Sequence, residues 1–302
     1  MNHCYDNRQF PASLPQLGWA RRQWAALLAM AILLVGAAPT AALTINRQFV
    51  ASGDMFPLTS IMAGDAPANT AGGGTIQDIF DTAADWWEQE ILDPHVTTIR
   101  FGWASLATTA QAQMEAPLPF TQGDILFDND GSTKWFMDQT PHINEEYNTF
   151  GEYEGYLGGD MLINLGRVYF NAMGDAVDRH DLLTVAKHQL GHALGVAHGF
   201  PPDLMPVPTL TITAPRPHAG ISVPTLLSGH IDIPHGLMFP IIDLGERKMP
   251  SDVDILVAAE RSGFSNFNSA PVVAAPSPTA FWMGVALLTA VCAGVVYRPT
   301  AR

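Results

Sequence analysis

Residues 187–199 read Lys-His-Gln-Leu-Gly-His-Ala-Leu-Gly-Val-Ala-His-Gly. At about 100° per residue, His188 and His192 fall about 40° apart on one helical face, one turn from each other. Two imidazoles so placed can grip a single ion from the same side. Gly195 lets the helix end in a left-handed turn, which folds the chain back and can deliver His198 as a third donor. Three neutral imidazoles leave a tetrahedral zinc with one open position, the arrangement of a catalytic site rather than a structural one. A chance pair of histidines four apart is common on ordinary helices. Here three histidines and the intervening glycine fit one pattern, so the fold must carry a helix and its terminal bend to one metal-binding point.

The flanking sequence supplies the elements to do so. Ile76, Ile79, Phe80, Ala83, Ala84, Trp87 and Ile91 recur at spacings of three and four, predicting a helix from Thr75 to the Asp93-Pro94 stop. Residues 95–101, 123–127 and 161–170 read as strands, and Asp181 opens a second helix that runs to Leu194. Ser251 begins a third, with Ile255, Leu256 and Ala259 inward, extending to Phe264. Residues 43–75, rich in Gly, Ala, Thr and Pro, read as a loosely ordered lead-in. Helices and strands in this order make an α+β domain over residues 76–269.

The motif resembles the signature of the metzincin clan of zinc metallopeptidases, HExxHxxGxxH followed by a tight turn containing Met. The resemblance rests on His188, His192, Gly195 and His198. It implies a zincin fold: a twisted mixed sheet, an active-site helix, and a smaller C-terminal subdomain with the Met-turn and a closing helix. It also implies Zn2+ on the three histidines and a peptide or protein substrate lying along an edge strand, either 123–127 or 161–170. Two segments are similar to the Met-turn of the matrix-type branch: residues 203–206 with Met205, and residues 235–240 with Met238, the latter favoured by the helix that follows it. A core methionine would explain either one without a metal. The chain departs from the family at Gln189, where the clan has the Glu that takes a proton from the attacking water. An amide keeps the shape but cannot accept that proton, so the resemblance implies zinc binding with weak or absent hydrolysis. The protein is then either an impaired peptidase or a pseudo-peptidase acting as a binding or structural envelope module. Asp203, Asp232, Glu246, His218, His230 and His235 are the further acids and histidines that could serve; one of these histidines could be an extra ligand or a transition-state donor, or an ordinary loop residue.

Composition narrows the partners. Of 302 residues, 15 are Lys or Arg and 29 are Asp or Glu, a formal charge of −14. Without a basic run to neutralise phosphates, nucleic acid is not an expected partner. Arg21 and Arg22 precede an apolar run, 24–35, and small residues to Ala42, the order of a secretory signal over residues 1–42 or of an uncleaved anchor. A Pro/Ala linker at 270–278 leads to nineteen uncharged residues, 279–297, then a basic tail, 298–302. That length suits a membrane span, though a buried helix is the alternative. The Pro-Ser-Pro, apolar helix and basic order resembles bacterial C-terminal sorting signals of the Pro-Glu-Pro type, with Ser277 in place of Glu. The expected setting is therefore the cell envelope, anchored or released. Cys4 and Cys292 both lie in these end segments, leaving the body without thiols, as suits export. The turn Asp128-Asn129-Asp130-Gly131 could hold Ca2+ or simply close a hairpin.

Overall fold

The computed structural model describes residues 42–158, 162–196, 208–213, 218–226 and 228–268. The secretory and C-terminal segments, the linker, His198, Asp203 and Met205 lie outside them. Among the described residues no helix is long and apolar enough to cross a membrane.

A four-stranded mixed sheet forms the frame. Strand β1 (Thr44–Phe49) runs parallel to β2 (Val96–Ala104), β2 runs parallel to β4 (Gln122–Asp128), and β3 (Ala110–Met114) closes the edge antiparallel to β4. Helix α1 (Ile76–Glu90) links β1 to β2. Thr75 caps it by accepting the Asp78 N–H, and its apolar stripe is buried as the periodicity requires, Phe80 stacking on Phe101 of β2 at 3.9 Å. Trp87 then ties α1 to the motif helix, its indole N–H donating to the Lys187 carbonyl at 3.0 Å.

The other elements hold that second helix in place. Strands β5 (Trp135–Phe136) and β8 (His180–Asp181) pair in parallel just ahead of α2 (Leu182–Ala193). A long hairpin, β6 (Tyr147–Gly155) and β7 (Ile163–Ala172), carries β11 (Arg247–Met249) antiparallel to β7. Strands β9 (Thr209–Thr211) and β10 (Ser222–Pro224) form a small ribbon, and α3 (Asp252–Ser262) follows β11. The result is an α+β fold of mixed sheet and helices, as a metzincin-like domain requires.

Two expectations change. The lead-in is not loose throughout: residues 44–49 are an outer strand of the main sheet, because Ile45 is buried and the backbone finds a parallel partner in β2. Neither candidate for the substrate-pairing edge is an edge. Residues 123–127 lie in β4, bonded on both sides, and residues 163–170 lie in β7 between β6 and β11. The edges of the main sheet are β1 and β3, and it is β3, whose sequence Ala-Gln-Ala-Gln-Met carries little apolar signal, that pairs antiparallel at its end.

At the end of α1, Glu90 is 2% exposed and its Oε2 has no hydrogen-bond partner. Burial pushes its pKa up to about 7, with Arg167 opposing the shift and Asp252 adding to it. The folded state therefore holds this proton more tightly than the unfolded chain does. Its contribution is complete below about pH 4.5 and is lost as pH rises toward 7. In metal-free protein, Tm should fall between about pH 5 and about pH 8, and Glu90→Gln should flatten that fall; equal slopes in the two proteins would refute the assignment.

Candidate metal centre

Helix α2 is buried along its whole length. Its N-cap, Asp181, accepts the Thr184 N–H and hydroxyl at 3.0 and 2.6 Å and receives a two-pronged contact from Arg247 at 3.0 and 2.9 Å. Burial alone would raise the Asp181 pKa; the Arg247 guanidinium outweighs it and holds the carboxylate below its usual range. On the far side, fully buried Lys187 sets its Nζ 2.8 Å from Met249 Sδ, and burial brings its pKa down to about 7. At the other end Gly195 takes φ +107°, the left-handed conformation expected of it, and Ser262 donates to the Leu194 carbonyl at 2.7 Å.

This frame presents His188 and His192 as their spacing requires, with their Nε2 atoms 3.1 Å apart. The third imidazole is that of His230. Ring centroids of His230 lie 5.2 Å from His188 and 5.0 Å from His192, and one nitrogen of each ring falls within 4.8 Å of the others. Among the described residues this is the group of three or more His, Cys, Asp or Glu able to hold an ion. Nothing in the spacing links residue 230 to the motif; the loop does so. The Leu226 N–H donates to the His230 carbonyl, Ile231 donates to the Met238 carbonyl at 3.0 Å, and Ile231, Leu237 and Met238 are buried.

The remaining ring nitrogens are held in turn. Nδ1 of His188 lies 2.8 Å from the Leu237 carbonyl, Nδ1 of His192 contacts the Val196 carbonyl, and Nδ1 of His230 lies 3.0 Å from Ser228 Oγ. A carbonyl can only accept, so the Nδ1 atoms of His188 and His192 carry the protons and their Nε2 lone pairs converge. Tetrahedral zinc with Zn–N bonds of about 2.0–2.1 Å places its nitrogens about 3.3 Å apart. The observed 3.1 Å fits, and carbonyl-anchored imidazoles are the usual support of such a site.

Met238 lies beneath. It is fully buried, and a Cβ at Gly191 would collide with its sulfur, so the glycine is what allows the approach. Asp254 of α3 fixes the turn, accepting the Leu237 and Met238 N–H groups at 3.1 and 2.9 Å while bonded to Ser251 in the helix's capping box. Asp254 thus reaches His188 through the Leu237 carbonyl.

The histidines open on a cleft of about 620 Å3, walled by residues 108–112 at the β3 edge, Val185 and Gln189 of α2, residues 240–242, and His180. No carboxylate lines it among the described residues. Glu246 and His235 instead line a separate cavity of about 430 Å3, where His235 stacks on Tyr153 at 3.6 Å. His218 packs beside Phe267. The Asp128 carboxylate accepts the Leu106 and Asp130 N–H groups and the Ser132 hydroxyl, bonds that account for the 128–131 turn.

Residues 104–219 match the Matrixin family model. That match, which spans α2 and the motif, together with the converging histidines, supports a metzincin-type zinc metallopeptidase-like protein. His230 and Met238 lie beyond the matched segment. No curated protein and no solved structure gives a significant match.

Proposed function

We propose that the chain is an exported, zinc-dependent peptidase-like protein of the cell envelope, tethered or sorted through residues 279–297, whose hydrolysis is slowed by Gln189. The observation that carries this reading is the imidazole trio set in a cleft that is also lined by the antiparallel edge strand β3. An extended peptide can pair with the β3 backbone and lie across the histidines. A zinc ion on His188, His192 and a third histidine, when bound, supplies a Lewis acid that polarises the scissile carbonyl and acidifies water. Gln189 can hydrogen-bond that water, and its amide cannot take the proton.

The lack of a carboxylate along the described cleft favours a second reading, a zinc-bearing pseudo-peptidase that holds a peptide without cutting it. Incubating zinc-loaded protein with a mixed peptide pool separates the two. Slow cleavage that EDTA abolishes supports the peptidase, and binding without turnover supports the module. Neither binding nor cleavage would sink both.

A further inference from the structure

The cleft does not end at the histidines. His180 lies in β8, just ahead of the α2 N-cap Asp181 and eight residues before His188. Both side chains line the same cleft, and Val185, Ile241 and Ile242 line it with them as an apolar wall. The Nδ1 atom of His180 is buried without a hydrogen-bond partner, which leaves Nε2 as the ring nitrogen available to the cleft. A proton on Nδ1 would be buried without an acceptor, whereas on Nε2 it can meet a partner in the cleft, so Nε2 is taken as the donor. Burial also holds the His180 pKa below its ordinary value, so the ring is a neutral donor at pH 7. Asp243 is the acid whose charge it feels.

We propose that His180 is a hydrogen-bond donor beside the apolar stretch of this cleft formed by Val185, Ile241 and Ile242, and selects a long substrate side chain tipped with a neutral hydrogen-bond acceptor, glutamine above all. A leucine would leave the Nε2–H unpaired. A glutamate would bring a second negative charge near Asp243. A lysine or arginine would set donor against donor.

This rests on the peptide-cleft reading above, and the test separates the two. Peptides identical but for one residue, placed as Gln, Leu or Glu at each position in turn, are titrated against zinc-loaded protein by fluorescence polarisation. At one position the wild type should bind Gln about 10-fold more tightly than Leu, the worth of one hydrogen bond, and more tightly than Glu. His180→Leu should reverse the Gln-over-Leu order with zinc content unchanged, and His180→Asn, which keeps a donor, should restore part of it. Peptide binding with the same preference in wild type and His180→Leu overturns the role of His180 alone. Absence of peptide binding in every zinc-loaded form overturns the cleft reading and this role with it.

Discussion

His230→Ala protein, loaded with zinc and dialysed, should lose the metal that wild type retains, its affinity falling by more than about 100-fold. Loss of a partner that merely orients a ligand already costs about 10- to 100-fold, and removing a donor nitrogen costs more. The fold should survive, because His230 sits in a loop whose register is set by backbone bonds and by buried Ile231, Leu237 and Met238. Circular dichroism should therefore be unchanged while metal content drops. Wild-type affinity in this variant would show that residue 230 only neighbours the ion and is not one of its ligands.

Gln189→Glu should raise peptide cleavage by about 10²–10⁴-fold, or roughly 3–5 kcal/mol of barrier, at unchanged zinc stoichiometry. The carboxylate takes the proton from the attacking water and returns it to the departing amine, so the amide C–N bond breaks without releasing an anionic amine. Gln189 lines the cleft on the same helix as His188, and Glu has nearly its shape, so the substitution adds a base without moving the wall. Zinc-loaded Gln189→Glu protein no faster than wild type would mean that the site is not built for hydrolysis, and the binding-module reading would stand.

Local signals made much of this fold legible. Helix α1 was legible through its apolar stripe from Thr75 onward and α3 through its start at Ser251 with Ile255, Leu256 and Ala259 inward; the Thr75 cap and the Ser251–Asp254 capping box are what the structure adds. The His188–His192 pair was readable because a single helical turn fixes it. What escaped depends on contacts between distant segments. Strands β1 and β3 are short and largely polar, and only pairing with β2 and β4 makes them strands. Strand β6 alternates half-buried and exposed positions after buried Tyr147, but Gly151, Gly155 and its acidic residues hide the pattern. His230 was one of three unplaced histidines in the sequence. A loop closed by Ile231 and Met238, and fastened to α3 through Asp254, brings it to the pair, and no spacing rule encodes that path.

X-ray absorption at the zinc edge of the purified wild-type protein bears most directly on the metal centre. One zinc per chain in a shell of three imidazole nitrogens at about 2.0–2.1 Å, with one exchangeable oxygen, is the expected result. A protein that retains no zinc, or a metal shell without imidazole scattering, would contradict it.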